Sequence, residues 1–298
     1  MSPPRAAKEI RVSVPALEQP GRGLGLLDVF RNNYLLTLLV RKETRLRYRG
    51  SILGWLWSYV KPVAQFAIFY LAMGEFMGLN RSMPNFAIFL FSGLIIVNFF
   101  SEAFDNATRS IVVNSSLVKK IYLPREMFPV SSVIVSFVNF FPQLILLIAV
   151  ATFVGWHPSW IQLAAMPLAI LIAGLFATGL GLMFCAVNVA LRDAQNVVEL
   201  IVLFTIWLSP VFYHIDLVAR VLPDWLFVLY QLNPVTAAVR AFHFAIWMPT
   251  TDQSPGVWTI MGPNALTMAG IGLLVAIGFV FLGQLVFRRM EKDFAQDL

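Results

Sequence analysis

Apolar residues in this chain are gathered into long blocks separated by short polar stretches. A helix needs about 20 consecutive, mainly apolar residues to cross a bilayer. The blocks predict an all-α integral membrane protein with six spanning helices, over residues 55–77, 86–106, 128–154, 160–187, 197–213 and 266–287. Four of these segments contain or end near a proline, which a bundle tolerates where neighbouring groups satisfy the freed backbone.

Residues 25–50 predict an amphipathic helix ahead of the first span. Its apolar positions recur at 27, 30, 34 and 38, while Arg31, Arg41, Lys42 and Arg45 lie on other faces. This pattern is typical of a helix that lies on the inner leaflet, and an exposed helix packed on a soluble partner is the alternative. Residues 1–24 are polar, contain four prolines and lack the apolar core of a signal peptide, so they predict a disordered cytoplasmic tail.

Residues 214–263, before the last span, hold apolar pieces that are too short to cross a membrane. Pro223, the pair Asn233–Pro234 and Pro249 separate these pieces. An ordinary extracellular loop would be more polar, so we expect re-entrant or interfacial helices on the outer side. The whole of residues 25–298 is therefore predicted to form a single transmembrane domain.

Lysine and arginine positions predict the orientation. Six spans place both termini on the same side, and 19 of the 22 Lys and Arg residues then fall on that side. Only Arg81, Arg220 and Arg240 fall elsewhere. Because positive charge is enriched in cytoplasmic loops, both termini are predicted to be cytoplasmic.

Composition supports the membrane class. The chain is 58% hydrophobic and 13% charged, whereas soluble domains carry about 25% charged residues. This apolar bulk excludes a soluble nucleic-acid-binding fold despite the net charge of +6. The single cysteine, Cys185, can form no intrachain disulfide.

Enzymatic chemistry finds little support. The sequence contains no Gly-x4-Gly-Lys-Ser/Thr phosphate loop and no Gly-x-Ser-x-Gly nucleophile motif, and its three histidines are scattered. Charges in the spans are few: Lys61 can extend to the interface, and Asp105 and Arg109 can pair four residues apart on one helix. These charges do not form the mid-membrane carboxylate chain expected of a proton-coupled transporter.

Aromatic residues are the better indication of function. One stripe lies in the first span and a second in the fifth, which Tyr213 follows. Rings that face lipid or pack between helices are the ordinary interpretation. The sharper hypothesis is a channel lined with rings, because sugars expose C–H faces that stack weakly on aromatic faces and a polymer could slide over them. The residues of this hypothesis are Phe66, Phe69, Tyr70, Phe204, Trp207, Phe212 and Tyr213.

The segment 114–125 is short, basic and cytoplasmic in the predicted orientation. Asn114 or Ser115 could cap a small helix that Pro124 would end. A plain positive loop is one interpretation, and a docking helix for a cytoplasmic subunit is the other. In the docking hypothesis apolar residues insert and basic residues pair at the rim, and the residues are Leu117, Lys119, Lys120, Ile121, Leu123, Pro124 and Arg125.

Three stretches resemble the membrane subunits of type-2 ABC exporters of polysaccharides such as O-antigens, teichoic acids, capsules and galactan. The first is residues 47–57, RYRGSILGWLW, with Lys61 and Pro62, and the second is residues 114–129, NSSLVKKIYLPREMFP. The third is residues 232–236, LNPVT, in which Asn233 and Pro234 are similar to the family's Asn-Pro turn in a re-entrant hairpin. With six spans and the chain length, the resemblance covers nearly all of the chain after residue 25.

The resemblance implies a permease subunit of the bacterial plasma membrane that is not itself an enzyme. It implies a homodimer in contact with membrane lipids and a separate nucleotide-binding subunit, which holds the ATP and Mg while this chain binds no cofactor or metal. The substrate would be a lipid-linked polysaccharide, with galactan as a refinement. The run from residue 41 to 62 would be a hinge between motor and channel, with gate residues Arg41, Arg45, Arg49, Leu53, Gly54 and Lys61.

Two alternatives stay open. A type-2 ABC exporter of drugs or lipids would share the fold, although such permeases often carry a large extracellular domain or a fused ATPase. A membrane-embedded glycosyltransferase or ATP-independent scaffold would need acidic catalytic motifs in its loops, which the sequence does not contain.

Overall fold

The computed structural model describes residues 25–48, 50, 54–120, 123–252, 255–261 and 264–294, and the predicted tail 1–24 lies outside them. Over these ranges the chain is helical and contains no strand. The α-helices are α1 Leu26–Arg31, α2 Asn33–Tyr48, α3 Trp57–Phe69, α4 Leu79–Ser82, α5 Phe86–Val113, α6 Ser115–Val118, α7 Met127–Phe153, α8 Trp160–Ala190, α9 Ala194–Thr205, α10 Ile215–Val221, α11 Asp224–Leu232, α12 Pro234–Ile246, α13 Pro255–Met261 and α14 Ala265–Met290.

Four of the described helices, α5, α7, α8 and α14, are long and apolar enough to cross a membrane. They correspond to the second, third, fourth and sixth predicted spans. Helix α5 continues beyond residue 106, the predicted end of the second span, to Val113. The predicted pair explains this continuation: Arg109 Nη2 donates to Asp105 Oδ1 at 3.0 Å, so the charges reinforce the helix instead of ending it.

The first predicted span is not one regular helix. A 3-10 turn, Gly54–Leu56, leads into α3, and a π-helix, Tyr70–Phe76, continues it. Gly74 in the π-helix is buried, and a Cβ there would come within 3.1 Å of the Phe86 ring. The wider π-turn therefore brings the backbone close to the start of α5.

The prediction of a helix over 197–213 was wrong at its second half. The fifth apolar block contains α9, which ends at Thr205, and the chain then turns over residues 206–210. Pro210 explains the ending, because proline has no N–H for a helical bond and disfavours helical geometry in the residue before it. The Thr205 hydroxyl also donates to Ile201 O at 2.7 Å, a local bond of the kind that often bends helices.

The core is built around α8, which packs most extensively on α14 and also on α5 and α12. Glycine permits the closest crossing, since a Cβ at Gly179 of α8 would lie 2.5 Å from the Phe279 carbonyl carbon of α14. A Cβ at Gly283 would in turn overlap the Gly179 carbonyl oxygen. Small residues of this kind let membrane helices approach backbone to backbone.

Helix α12 is buried at all 13 of its positions against α5, α8 and α14. It is thus a core element, whereas the sequence placed the whole of 214–263 in re-entrant or interfacial structure. Its neighbours α10 and α11 keep exposed residues such as Val221 and Trp225. The re-entrant path of the α11–α12 hairpin stays a prediction.

The predicted helix over 25–50 is divided at Asn32, whose side chain donates to Asp28 O at 2.9 Å. The predicted apolar face, Leu27, Phe30, Tyr34 and Leu38, is exposed and therefore available to lipid. A second set, Val29, Leu36 and Leu39, is buried against the protein, and α2 packs on α7. The segment is consequently apolar on two sides, one packed in the fold and one exposed.

Candidate functional site

A hydrogen bond connects α2 to the loop that follows α5. Lys42 Nζ of α2 donates to Asn114 Oδ1 at 2.7 Å, and Asn114 Nδ2 donates to Ser110 O at 2.9 Å. Asn114 is the N-cap residue of the short helix, as expected, but its side chain makes no capping hydrogen bond there. The Asn114 amide instead joins three segments: α2, the end of α5 and the loop.

The small helix of this loop, α6, ends at Val118, so Pro124 does not end it as expected. Lys119 and Lys120 follow it and are exposed. Leu117 and Leu123 are half-buried and pack against buried apolar side chains of this chain. Pro124 is also half-buried, and Ile121 lies outside the described residues. The exposed face of the loop is therefore chiefly basic.

Arg125 is engaged within the chain. Its Nη1 donates to the backbone oxygen of Glu291, its Nε lies 3.8 Å from Glu291 Oε1, and its guanidinium lies 5.6 Å from the centroid of the Phe294 ring. The side chain is only 15% exposed. Arg125 thereby holds the C-terminal end of the described chain against the loop. Burial, and then the nearby Glu126, raise the pKa of Glu291.

A second polar contact holds α2 on α7. Ser131 and Ser132 of α7 donate to the Glu43 carboxylate at 3.4 and 3.3 Å. Burial raises the pKa of Glu43, and these hydroxyls and Lys42 oppose that rise. A cavity of about 350 Å³ lies beside them, between α2, α5 and α7.

The predicted gate residues fall into separate places. Arg41 and Arg45 are exposed on α2, whereas Arg49 and Leu53 lie outside the described residues. Gly54 has φ +46° and Gly50 has φ +79°, left-handed values that favour glycine where the chain turns from α2 towards α3. Lys61 lines a polar cavity on the inner part of α3.

The two predicted aromatic stripes meet in one cluster. The Phe69 ring lies 4.8 Å from Phe212 and 6.5 Å from Trp207 between centroids, and Trp207 lies 5.3 Å from Phe212. Tyr213 supports this turn because its hydroxyl donates to Trp207 O at 2.8 Å.

Burial differs sharply among these rings. Phe212 is 3% exposed, but Trp207 is 51% and Phe204 is 55% exposed. Phe66 and Tyr70 are half-buried, with ring centroids 5.7 Å apart. Phe212 therefore anchors the turn, while the rings of Trp207 and Phe204 lie on the exposed surface of the chain.

The sequence reasoning missed a polar cavity of about 270 Å³ between α2, α3, α5 and α7. Arg47 Nη1 lies 2.6 Å from Glu102 Oε1, and Asn139 Nδ2 donates to the same oxygen at 2.8 Å. Asn98 Nδ2 donates to Gln65 Oε1 at 2.8 Å. The cavity combines a paired charge with several amides inside an apolar bundle.

A signal for this cavity was present in the sequence. Three apolar helices each carry two polar residues four positions apart, a spacing that puts both on one face. These pairs are Lys61 with Gln65, Asn98 with Glu102, and Asn139 with Gln143. Charged residues alone do not indicate these pairs, because most members of the pairs are neutral.

At the other end of the bundle, Asn233 and Pro234 open α12. The Asn233 side chain accepts a hydrogen bond from Val235 N at 3.0 Å, and Pro234 occupies the first turn, where its missing N–H carries no cost. The predicted Asn-Pro turn is thus a helix cap. Within the described ranges, no group of three or more His, Cys, Asp or Glu side chains is arranged to hold a metal ion.

Comparison with known proteins identifies relatives over most of the chain. Residues 34–247 match the family described as ABC-2 type transporter. An O-antigen export system permease protein from Myxococcus xanthus is 28% identical over 91% of this chain and 98% of its own length. One from Klebsiella pneumoniae is 24% identical over 89% and 95%, and a capsule polysaccharide export inner-membrane protein from Neisseria meningitidis is 25% identical over 85% and 97%.

Proposed function

The chain belongs to the ABC-2 type transporter family, and we propose that it is the permease subunit of an ATP-driven exporter of a lipid-linked polysaccharide. It is a multi-pass plasma-membrane protein with four apolar helices of spanning length in its described part. We propose in addition that the first and fifth predicted segments complete a set of six spans, with both termini in the cytoplasm.

The observation that carries the substrate class is the near-complete alignment with polysaccharide permeases. The Myxococcus xanthus relative is matched over 98% of its length, so the likeness covers the interfacial helix, the loop after α5 and the bundle together. These relatives favour a glycan over a drug or a lipid as the cargo. Galactan is our finer proposal for the glycan.

The partner in this proposal is a cytoplasmic ABC nucleotide-binding subunit, which holds ATP and Mg. Lys119 and Lys120 are exposed beside α6 and form the rim charges that we assign to docking. Arg125 is tied to Glu291, so we assign it the positioning of the loop and leave the pairing with the ATPase to the two lysines. Two copies of this chain would enclose the channel.

Movement would pass from the loop to the bundle through α2. The Lys42–Asn114 bond joins the loop to this helix, and the Arg47–Glu102 pair joins the same helix to α5. A displacement of α6 by the ATPase would therefore reach α5 through contacts that already exist. The exposed faces of Trp207 and Phe204 would offer the polymer a surface to slide along.

Reconstitution tests this proposal. Proteoliposomes would contain the chain with its co-purified ATPase and the lipid-linked polysaccharide extracted from the same cells. We expect ATP to move the polymer to the opposite side, where a membrane-impermeant glycosidase can digest it. The proposal would be contradicted if ATP were hydrolysed while the polymer stayed protected from the glycosidase. Transport of lipid dyes in place of the polymer would contradict it as well.

A further inference from the structure

The polar cavity between α2, α3, α5 and α7 has a lining suited to a hydroxyl-rich ligand. Five of its side chains are neutral hydrogen-bonding groups: Ser58, Gln65, Asn98, Asn139 and Gln143. Each amide offers donors and an acceptor, and each hydroxyl offers both. We propose that this cavity is a sugar-binding subsite, which holds a sugar residue of the lipid-linked glycan before transport. The inference rests on the proposed function.

One buried side-chain atom in the cavity wall lacks a partner. Gln143 is 7% exposed, and its Nε2 donates to Asn139 O at 3.3 Å. Its Oε1 is buried and accepts no hydrogen bond from the described part of the chain. Buried polar groups in proteins are nearly always satisfied, so the unpaired carbonyl of this lining residue would gain a partner if the side chain turned towards a donor in the cavity. A sugar hydroxyl is such a donor, and a phosphate oxygen is not.

The charges in the lining also favour a neutral sugar over a phosphate. Arg47 is engaged by Glu102 at 2.6 Å, which leaves Lys61 as the lining cation without a hydrogen bond or ion pair in the described residues. Phosphate sites generally gather several free cations or backbone N–H groups. Trp57, at the rim of the cavity, adds an aromatic face of the kind on which sugar rings stack.

The size of the cavity limits what it can hold. A volume of about 270 Å³ lies just below the usual range for drug-sized ligands, roughly 300–1,000 Å³. This space suits one or two sugar residues and not a folded stretch of polymer. The cavity would therefore recognise the saccharide locally, whereas the aromatic surface would serve the rest of the chain.

The test measures ATPase stimulation by lipid-linked glycan in proteoliposomes that contain the full chain and its ATPase. Gln143→Leu removes the unpaired carbonyl and Asn98→Leu removes a second amide. We expect each to raise the half-saturating glycan concentration about tenfold, the effect of losing one or two hydrogen bonds. Thermal stability in detergent should stay unchanged in Gln143→Leu, because Gln143 Oε1 accepts no hydrogen bond in the described part of the chain.

The matched control is Thr178→Val in α8, which removes a hydroxyl that bonds only to its own helix at Gly174 O. We expect no change in half-saturation for it. Undecaprenyl phosphate without sugar serves as a second probe and should compete equally well in wild type and variants. Weaker competition in Gln143→Leu would overturn the sugar assignment in favour of a phosphate.

The outcomes separate this inference from the proposed function. If wild type is stimulated and both leucine variants match it, the sugar subsite is overturned while the exporter stands. If the variants lose stability and basal activity together, the amides are structural and the subsite is likewise overturned. If wild type shows no stimulation by any lipid-linked glycan, the proposed function fails and the subsite with it.

Discussion

Lys42 Nζ of the interfacial helix donates a 2.7 Å hydrogen bond to Asn114 Oδ1, at the junction of α5 and the loop that carries Lys119 and Lys120. The two residues are 72 positions apart in sequence. Their bond joins α2, for which we propose a place on the membrane surface, to the loop that we assign to ATPase docking.

Breaking this bond should weaken coupling more than folding. Lys42→Met removes the ammonium, and we expect about 1 kcal/mol of lost interaction, because the pair is only partly buried. The number of polymers exported per ATP should fall while basal ATPase activity persists. Asn114→Asp keeps the acceptor for Lys42 and adds charge but loses the donor to Ser110 O, so the ratio should fall less than in Lys42→Met. The readout is the transport-to-hydrolysis ratio in proteoliposomes.

Thr37→Val on the same helix is the control for the Lys42 variant. Its hydroxyl bonds to Asn33 O of its own helix and is exposed. An equal drop in the ratio for Thr37→Val would attribute the effect to α2 stability and would remove the Lys42–Asn114 bond from the coupling path.

Reversing the charge of the loop should uncouple the two subunits. Lys119→Glu combined with Lys120→Glu replaces two exposed cations with anions, so a docking acidic partner would be repelled. We expect the chain to insert normally, co-purification of the ATPase to fall at least severalfold, and export to stop. Arg81→Glu, an exposed charge on α4, should leave both unchanged. Unimpaired export in the double variant would remove the docking role of the loop.

The glycine crossing of α8 and α14 should be intolerant of side chains. A Cβ at Gly283 would overlap the Gly179 carbonyl oxygen, so Gly283→Ala must push the helices apart. Overpacking of this kind costs about 1–3 kcal/mol. Gly278→Ala, on the same helix with nothing within 4 Å of the added Cβ, should be neutral or stabilise by up to about 1 kcal/mol. Thermal unfolding in detergent distinguishes the two variants, and equal melting temperatures would contradict the crossing.

The aromatic cluster should divide into an anchor and a free surface. Phe212→Ala removes a ring that is 3% exposed, and we expect a loss of about 3 kcal/mol in stability with lower membrane abundance. Trp207→Ala and Phe204→Ala remove rings that are more than half exposed, so abundance should hold while the export rate falls. Quantitative immunoblots beside flux measurements test this division. Normal flux in the Trp207 and Phe204 variants would indicate that these rings face lipid.

Stability should decrease with rising pH through the titration of Glu291. The folded-state pKa of Glu291 is raised, so its contribution to stability is fully present below its ordinary pKa of 4.5 and is lost as pH rises through the folded value. Glu291→Gln should flatten the melting temperature between pH 4.5 and neutrality. Arg125→Met removes the charge that opposes the shift and should steepen the slope. A steeper slope in Glu291→Gln would contradict this assignment.

Long apolar periodicity was enough to locate the bundle. Helix α7 begins and ends within a residue of its predicted bounds, because it is apolar over most of its length. The fifth block misled because its apolar run continued through a proline that ended the helix at Thr205. Apolar patterning reports burial in lipid or protein, and it does not by itself report regular helix.

The burial of α12 and the polar cavity could not be predicted for a different reason. Helix α12 is short and carries Arg240 and His243, yet tertiary packing buries it completely. The cavity combines side chains from four helices, and no helix contributes more than one of the three polar pairs that line it. Such sites depend on which helices are neighbours. The local pattern of a single sequence does not indicate which helices pack together.

The most direct test of the exporter assignment is to deplete the chain in living cells and measure where the polysaccharide is. We predict that polymer disappears from the cell surface while full-length, lipid-linked polymer accumulates in the cytoplasmic leaflet. Re-expression of the wild-type chain should restore the surface polymer. A normal surface level after depletion, or loss of polymer from both sides of the membrane, would contradict a role in export.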